Sequence, residues 1–369
     1  MRVAFYAPLK PPDHPVPSGD RRVAQLFLDA LRLAGHDPFL VSRLRSFDGD
    51  GDPIRQARLA AIGRRAAERL LRHWRRSPQT APRLWFTYHL YYKAPDWLGP
   101  AVSRTLGIPY VVAEASHAAK RAGGPWDLGH RAVADALHHA TAVIGLNPAD
   151  RDGVMPQLRD DPGSWIALPP FLDAAHDGPA LERQPGPPRL VSVAMMRPGD
   201  KLASYRLLGT ALARLLDLDW SLTVVGDGPV RGEVAAALAP LGSRVRWLGM
   251  LAEDAVATVL READLFVWPA INEAFGMALL AAQASALPVV AGASGGVPSI
   301  VASGETGVLV PPGDAPAFAA AVRPLIVDCD LRTKMGAAAR AKVEREHDLP
   351  VAAARLAEII DWLGRLRAA

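Results

Sequence analysis

Residues 272–314, NEAFGMALLAAQASALPVVAGASGGVPSIVASGETGVLVPPGD, are the most informative segment of this chain about its fold. Glu273 stands before Phe275-Gly276 and a helix of small residues, and a short apolar strand follows at 287–291. Gly295-Gly296 then makes a turn into another helix. Gly-rich turns that lead into helix N-termini are places where an α/β protein presents backbone N–H groups to an anion. The stretch therefore predicts two neighbouring strand–turn–helix units with an anion site at their turns.

Strand and helix alternate in the same way along the rest of the chain. Short apolar, β-branched or aromatic runs predict strands, and the segments between them predict helices. The predicted strands are 3–7, 38–42, 84–88, 110–113, 142–146, 190–194, 221–225, 245–248, 265–268 and 288–291, and the predicted helices of the first half are 20–33, 55–74, 95–106 and 130–139. Such alternation predicts parallel sheets with right-handed crossovers.

A Pro-rich segment divides the chain into two predicted domains. Residues 173–189 carry four prolines and two glycines with little apolar content, which is typical of a linker. The predicted organisation is a Rossmann-like domain at 1–172, a linker at 173–188, a second Rossmann-like domain at 189–350 and an amphipathic C-terminal helix at 351–369 that packs back on the first domain. The predicted fold class is therefore α/β, with two Rossmann-like doubly wound domains facing a central cleft. Ligands of such sheets lie beyond the carboxyl ends of the strands.

Composition limits the compartment and the partners. The 369 residues, 50% of them hydrophobic, are enough for two domains with full cores. One cysteine, Cys329, rules out an internal disulfide and fits a reducing compartment. No apolar run reaches the roughly 18–20 residues that span a bilayer, and the N-terminal MRVAFYAPL has the pattern of a strand rather than of a signal peptide. With a net charge of +4, the chain is predicted to be a soluble cytoplasmic protein that does not bind nucleic acid.

The segment from Arg55 to Arg76 has the strongest local charge asymmetry. Eight arginines stand against one acid, Glu68. Five apolar residues recur at helical spacing and form one stripe: Leu59, Ile62, Ala66, Leu70 and Trp74. The favoured interpretation is a core-packed helix with a solvated basic face. The alternative is peripheral contact with anionic lipid at the inner membrane face, to which each basic residue adds about 1 kcal/mol.

Three groups of residues follow predicted strands and suit a phosphorylated ligand. Arg197 and Lys201 come after the strand 190–194, and an Arg fork with a Lys point charge is what a diphosphate requires. Gly226-Asp227-Gly228 follows the strand 221–225 and permits close approach of a ligand to the backbone. Glu273 can accept two sugar hydroxyls while N–H groups near Gly276 face a phosphate. Each has an ordinary alternative: surface charge for the first group, turn chemistry for the glycines, and a helix-dipole acid for Glu273.

Taken together, these segments carry a family resemblance. Arg197…Lys201 is followed by VVGDGP (224–229), RWLG (246–249), EAFG (273–276), GGVPS (295–299) and GVLVPPGD (307–314). The set resembles the donor-binding half of retaining glycosyltransferases of the GT-B fold, family 4, also called glycosyl transferases group 1. The resemblance covers the whole second domain and, more loosely, the first. It implies a metal-independent retaining hexosyltransferase that moves a sugar from a UDP- or GDP-linked donor to a glycan, lipid-linked or small-molecule acceptor. No separate cofactor is implied.

The resemblance also implies roles for individual residues. Arg197 and Lys201 would hold the donor diphosphate, Glu273 would bind the sugar hydroxyls, and His117 would face the donor sugar from the first domain. Further donor contacts fall on Ser18, Gly19, Gly226, Asp227, Gly228, Trp247, Leu248, Phe275, Gly276 and Met277. A surface turn is the ordinary alternative for Ser18-Gly19, and a structural role is the alternative for His117. Lys120 and Arg121 either meet an anionic acceptor or are simply solvated.

Three positions depart from the family pattern. Ala281 stands where a second Glu normally hydrogen-bonds the donor ribose, Ala286 replaces a usual Gly, and Ser299 replaces the Glu of GGVPE. A lost hydrogen bond to a charged group costs ~1.5–3 kcal/mol, or roughly 10- to 100-fold in affinity. The sequence therefore leaves two alternatives to a transferase. One is a degenerate GT-B protein that binds a nucleotide, a sugar or a partner without turnover, and the other is another GT-B enzyme such as a sugar-nucleotide epimerase.

Overall fold

The computed structural model of the chain describes residues 1–16, 18–159, 164–174 and 186–366. The chain divides into two compact units. Unit 1 comprises Met1–Pro169 together with Leu349–Ala369, and unit 2 is Pro170–Asp348. Most of the predicted linker, residues 175–185, lies outside the described residues.

Unit 1 is built on a parallel sheet of six strands with helices between them. The strands are β1 (Arg2–Tyr6), β2 (Asp37–Leu40), β3 (Leu84–Leu90), β4 (Tyr110–Ala115), β5 (Ala142–Gly145) and β6 (Trp165–Ala167), in the order β2-β1-β3-β4-β5-β6. The helices are α1 (Gly19–Leu33), α2 (Pro53–Arg76), α3 (Gly99–Leu106), α4 (Asp127–His139) and α5 (Arg151–Val154). Each predicted strand is present. The sequence missed β6, because three residues are too short to show alternation.

Unit 2 repeats this plan with a second parallel sheet of six strands. The strands are β7 (Arg189–Val193), β8 (Ser221–Val225), β9 (Val245–Gly249), β10 (Leu265–Trp268), β11 (Val289–Gly292) and β12 (Gly307–Val310), in the order β12-β11-β10-β7-β8-β9. The helices are α6 (Asp200–Leu212), α7 (Arg231–Leu238), α8 (Glu253–Glu262), α9 (Met277–Ala284), α10 (Val297–Ile300), α11 (Ala315–Val327) and α12 (Cys329–Glu346). The strands β10 and β11 are buried along their whole length, as expected for a sheet covered on both faces.

The last helix, α13 (Leu349–Leu366), belongs to unit 1 although it follows unit 2 in the chain. It packs against α1. Its buried stripe is apolar and consists of Ala352, Ala353, Leu356, Ile359, Ile360 and Leu363. No helix within the described ranges is both long enough and apolar enough to cross a bilayer.

A buried carboxylate determines where α3 begins. Asp96 is 3% exposed and accepts five hydrogen bonds. The donors are the backbone N–H groups of Leu98 and Gly99 and the side chains of Trp85, Thr87 and Tyr110. The predicted helix 95–106 was therefore too long at its N-terminus, because Asp96 holds the chain in a turn before the helix starts at Gly99.

The buried face of α2 differs from the stripe predicted from its large apolar residues. The fully buried positions are Gln56, Ala60, Gly63, Ala67 and Trp74. Of the predicted stripe, Trp74 is buried, and Leu59, Ile62, Ala66 and Leu70 are half-buried. The reason is close packing: a Cβ on Gly63 would lie 2.3 Å from the Cβ of Trp97, so α2 turns its small residues inward.

We expect Gly63→Ala to destabilise the protein by up to about 2 kcal/mol. The added methyl overpacks the contact with Trp97, which costs about 1–3 kcal/mol, and the gain in helix propensity of about 1 kcal/mol offsets part of it. The matched control is Gly364→Ala in α13, where no heavy atom lies within 4 Å of the added Cβ. That variant should be neutral or slightly more stable in chemical unfolding followed by circular dichroism. Equal behaviour of the two variants would contradict the close contact.

Candidate functional site

The carboxyl edge of the second sheet carries the residues singled out from the sequence. All its strand pairs are parallel, so their carboxyl ends share one edge. The strand order changes direction between β7 and β10, which is the position where open α/β sheets bind ligands. Lys201 lies in the first turn of α6, after β7, and Glu273 lies in the loop after β10. The topology therefore places these two residues at the switch point.

Lys201 and Glu273 form an ion pair at this point. The Lys201 Nζ donates to Oε2 of Glu273, and the indole N–H of Trp268 donates to the same oxygen at 3.2 Å. The ammonium also lies 5.5 Å from the centroid of the Trp268 ring. Both side chains are mostly buried, with 27% and 17% exposure. The structure thus brings together two residues that are 72 positions apart in the sequence.

The loop that carries Glu273 is held in a strained conformation. Ala270 and Asn272 have φ of 54° and 50°, a left-handed region that costs non-glycine residues about 1–3 kcal/mol each. Side-chain contacts with α6 hold the loop in place: Asn272 Nδ2 donates to Asp200 at 2.8 Å, and the N–H of Ile271 donates to Ser204 Oγ at 3.0 Å. Sequence reasoning missed these anchors. The one available signal was Asn272 itself, because Asn tolerates the left-handed region.

The glycines of VVGDGP allow two loops to pack backbone against backbone. Gly226 has φ 138°, and a Cβ there would lie 1.9 Å from the carbonyl oxygen of Ala194. A Cβ on Gly228 would lie 2.2 Å from that of Met196. Asp227 stabilises the same turn, accepting from the Gly228 N–H at 2.7 Å and pairing with Arg231 at 3.2 Å. These residues therefore support the loop that presents Arg197.

Arg197 is an exposed cation at this edge. It lies in the loop between β7 and α6, and its guanidinium has no hydrogen bond or ion pair within the described residues. Trp247 and Leu248 lie farther along the same edge, in β9, where both are half-buried. The sheet order puts β8 between them and β7.

The two glycine turns of residues 272–314 differ in whether their backbone N–H groups are available to bind an anion. Gly276 has φ 75° and precedes α9, and the N–H groups of Gly276, Met277 and Ala278 have no partner in the part of the chain that is described. By contrast, the N–H of Gly296 donates to the Ala274 carbonyl at 2.9 Å. The expectation of an anion site at both turns is therefore wrong for Gly296, whose N–H supports the Glu273 loop instead. Phe275, which directly precedes Gly276, is half-buried.

The predicted residues of unit 1 lie at the carboxyl edge of the first sheet. His117 is half-buried two residues after β4, and its ring centroid lies 4.3 Å from that of His130. Burial and the neighbouring His130 lower the pKa of His117, so its ring is neutral at neutral pH. Ser18 is the N-cap of α1 and accepts from the Arg21 N–H at 3.3 Å, and Gly19 is the exposed first residue of that helix. The geometry of Ser18 agrees with a capping role.

A second cluster at this edge was not found from the sequence. We call the set Asp20, His89, Glu114 and Asp150 the His89 cluster. Asp20 Oδ1 lies 3.1 Å from His89 Nδ1, and Glu114 Oε1 lies 3.7 Å from the same nitrogen. A possible signal was the presence of a titratable residue one position before the end of both β3 and β4.

Known proteins share this architecture, in sequence over part of the chain and in fold over nearly all of it. The sequence profile of the family described as Glycosyl transferases group 1 matches residues 187–328. A sucrose-phosphate synthase from Thermosynechococcus elongatus aligns over 99% of this chain and 100% of its own, with a TM-score of 0.73 and 20% identity. HepE from Anabaena, in complex with UDP and glucose, aligns over 98% of this chain and 99% of its own, with a TM-score of 0.70 and 16% identity. The chain has the GT-B fold. The predicted α/β class with two Rossmann-like domains is confirmed.

Curated relatives of this GT-B chain match over shorter lengths. The amylovoran biosynthesis glycosyltransferase AmsK of Erwinia amylovora is 32% identical over 48% of this chain and 45% of its own length. The α-D-kanosaminyltransferase of Streptomyces kanamyceticus is 27% identical over 71% of this chain and 73% of its own. For AmsK and the other relatives that match most strongly, the chain spans half of their length or less.

The three departures from the family pattern have distinct local structures in this GT-B chain. Ala281 is half-buried in α9. Ala286 adopts φ 56°, a left-handed conformation that the usual Gly accepts without strain. Ser299 lies in α10, where its hydroxyl donates to the Gly296 carbonyl at 2.6 Å. At the position where the family pattern has a Glu, Ser299 thus stabilises a local turn through its hydroxyl.

The electrostatics of the His89 cluster favour a charged imidazole. Burial alone would lower the pKa of His89, but the charge of Glu114 and the hydrogen bond with Asp20 outweigh it and raise this pKa to about 9. Burial raises the pKa of Glu114 to about 7 and that of Asp150 to about 6, although the His89 charge opposes both shifts. The imidazolium is therefore the stable form of His89 at neutral pH.

We expect the contribution of His89 to stability to depend on pH. A folded-state pKa of about 9 lies above the ordinary value of 6.5, so the stabilisation is fully present below pH 6.5 and is lost as the pH rises through 9. His89→Gln should therefore lower the free energy of unfolding most below pH 6.5, and the difference from the native protein should shrink by pH 9. Denaturant unfolding across this range measures it. A difference that does not change with pH would contradict the charged state of His89.

Proposed function

We propose that this protein is a nucleotide-sugar-dependent glycosyltransferase that acts with retention at the anomeric carbon and belongs to family 4. The observation that carries the proposal is the Lys201–Glu273 contact at the switch point of a GT-B sheet, with exposed Arg197 on the β7–α6 loop that precedes Lys201. The surrounding sequence, residues 187–328, is the part that matches Glycosyl transferases group 1. Fold, sequence and charged side chains thus support the same activity.

The charged residues suggest how donor binding proceeds. Before binding, Lys201 neutralises Glu273. When a diphosphate enters, Arg197 and Lys201 bind its oxygens together with the N–H groups at the start of α9. Glu273 then exchanges its ammonium partner for the hydroxyls of the donor sugar. Donor binding therefore replaces an internal ion pair with two ligand contacts.

In the transfer step, the bond between the anomeric carbon and the diphosphate oxygen breaks, and a bond to the acceptor oxygen forms. The acceptor proton leaves with the departing diphosphate. Arg197, Lys201 and the α9 N-terminus stabilise the negative charge that develops on that diphosphate. These groups supply the charge that a metal ion would otherwise provide, and we propose a metal-independent reaction without a separate cofactor. His117 is proposed to contact the donor sugar.

The donor is proposed to be UDP- or GDP-linked, and the acceptor a glycan, a lipid-linked sugar or a small molecule. A UDP and glucose complex is known for HepE, which shares the fold. Relatives named for amylovoran biosynthesis and for D-inositol 3-phosphate support transfer to a glycan or to a small polyol. The cytoplasmic location remains a prediction.

A nucleotide-binding protein without turnover is the weaker alternative. Ala281 and Ser299 motivate it, because both replace carboxylates of the family pattern. A decayed site has no reason to keep the Lys201–Glu273 contact and the strained loop that presents it. We therefore favour an active enzyme with an altered contact to the nucleotide.

We expect the correct nucleoside diphosphate, tested among UDP, GDP and ADP, to raise the melting temperature. Ligand at 100 times its Kd stabilises the folded state by about 2.7 kcal/mol. Arg197→Ala should abolish the shift and reduce transfer by about 100-fold or more, because it removes a cation from the leaving diphosphate. The control is Arg214→Ala, at an exposed arginine just after α6 in the same unit. It should retain both the nucleotide-induced rise in melting temperature and the transfer activity. Unchanged nucleotide binding in Arg197→Ala would refute the site assignment.

Ala281→Glu is expected to tighten nucleotide binding by about 10- to 100-fold, the worth of one hydrogen bond to a charged acceptor. The matched control, Ala281→Gln, has the same length without the charge and should give a smaller gain. Isothermal titration with the diphosphate identified above measures both. If neither variant changes the affinity, the ribose does not lie beside α9.

We also propose that α2 contacts anionic membrane. All eight arginines between Arg55 and Arg76 are exposed, and Ile54 at the start of the helix is 80% exposed. No acidic side chain pairs with these arginines in the described structure. A helix of this kind attracts anionic headgroups electrostatically.

Replacing Arg65, Arg69 and Arg72 together by glutamine should weaken binding to vesicles that contain phosphatidylglycerol by about 100-fold, at roughly 1 kcal/mol per residue. Lysine at the same three positions keeps the charge and should retain binding. Co-sedimentation at low and high salt measures the difference. Binding of the native protein that persists in high salt, or that occurs equally on phosphatidylcholine vesicles, would count against an electrostatic contact.

A further inference from the structure

The His89 cluster has no part in the donor site described above, although four separate elements of unit 1 bring it together. Asp20 is in the first turn of α1, His89 is in β3, Glu114 is in β4, and Asp150 follows β5. The carboxyl ends of β3, β4 and β5 share one edge because the three strands are parallel. Residues from distant positions of the chain thus converge at the edge where such sheets bind ligands.

The backbone at this cluster is strained at two positions. His89 has φ 63° and Glu114 has φ 58°, both in the left-handed region although neither is glycine. Each such residue costs about 1–3 kcal/mol, and strain of this kind concentrates at functional sites. The left-handed backbone at His89 and Glu114 turns these two side chains toward each other, so that Nδ1 of His89 lies between Asp20 and Glu114.

Several hydrogen-bonding groups of the cluster are unsatisfied. Glu114 is nine-tenths buried, and its Oε2 has no partner. The carboxylate of Asp150, which is half-buried, forms no hydrogen bond within the described ranges. His89 donates Nδ1–H to Asp20, while its Nε2 has no partner there and, unlike Glu114 Oε2, is not sealed from solvent. A ligand would therefore meet one N–H donor, His89 Nε2, and one carboxylate acceptor, Asp150.

The charges at the cluster restrict the ligand class. One imidazolium and the nearby ammonium of Lys10 face three carboxyl groups, so the excess of acids disfavours a phosphate or a carboxylate. Among the described residues, no group of three or more His, Cys, Asp and Glu side chains is arranged to hold a metal ion. Sugar hydroxyls, which both donate and accept, match the mixture of donor and acceptors. The ring of Tyr91, 5.0 Å from that of His89, adds an apolar surface for the C–H face of a sugar.

We propose that the His89 cluster binds the hydroxyl groups of an uncharged sugar, the acceptor of the transfer proposed above. His89 donates Nε2–H to one hydroxyl oxygen, and Asp150 accepts from an adjacent hydroxyl. Asp20 and Glu114 are positioning residues, since they act on the ligand through the orientation and charge of His89. The inference rests on the proposed function only in naming the sugar as the acceptor.

The test is direct binding, which requires neither donor nor turnover. Imidazole signals of the full chain, isotope-labelled at histidine, are followed by NMR at neutral pH with glucose, galactose, mannose and myo-inositol as probes. At least one probe should shift the His89 signal saturably below about 100 mM, the range expected for a few hydrogen bonds. Glucose 6-phosphate and glucosamine test an anionic and a cationic ligand.

Variants separate binding from folding. His89→Gln removes the charge and should weaken the best probe by about tenfold or more. Asp150→Asn retains the shape of a partly exposed side chain and should weaken binding of the same probe by a similar factor. This variant tests the proposal if His89→Gln does not fold. His138→Gln, at an exposed histidine of α4, is the matched control and should bind normally. Glu114→Gln should lower the pKa of His89 in the same spectra, which a purely packing role would not do.

Three outcomes would overturn the proposal: no saturable shift with any of the four neutral probes, tenfold tighter binding of the phosphate ester or of the amino sugar, or unchanged binding in Asp150→Asn. Failure of the donor experiments with intact sugar binding would reject the transferase and keep this site. The reverse result would keep the transferase and reject the site.

Discussion

The hydrogen bonding of parallel strands is the constraint on which both candidate sites depend. A parallel strand can pair with its neighbour only after a crossover, so every strand in a sheet ends at the same edge. In unit 2 this places Lys201 beside Glu273, and in unit 1 it places His89 beside Glu114. Each pair comes from loops or strand ends that have no local reason to be adjacent. The parallel sheets thus bring the charged side chains of each site together.

Two buried acids in unit 1 show what separates a structural carboxylate from a candidate binding group. Asp96 receives five hydrogen bonds and has no capacity left for a ligand. Glu114 is buried nearly as deeply, yet one of its oxygens has no partner. Leaving a buried acceptor unsatisfied costs about 1–3 kcal/mol. Asp96 therefore has a structural role. Glu114, whose unpaired oxygen lowers stability, is the better candidate for a functional role.

Glycine patterns were only partly informative. Gly226 and Gly228 were expected to allow close approach of a ligand, and the close approach that the structure shows is to the backbone of Ala194 and Met196 in the neighbouring loop. Donor contact at these glycines stays a prediction. Gly296 was misjudged, because its N–H serves the Ala274 carbonyl of a neighbouring loop. The buried face of α2 was misjudged for a similar reason: Gly63 packs against Trp97, and a small residue has no hydrophobic signal of its own.

The amino-acid sequence was sufficient for the alternation of strands and helices, because periodicity and turn residues are local. The GT-B class followed from the family resemblance, and Arg197, Lys201 and Glu273 were chosen because they follow predicted strands and match its motifs. Which side chains meet became visible only in the folded chain. The Trp268 hydrogen bond to Glu273, the Asn272 anchor and the whole His89 cluster join residues from separate elements. Their contacts depend on sheet order and on left-handed backbone angles at non-glycine residues. Neither leaves a periodic trace in the sequence.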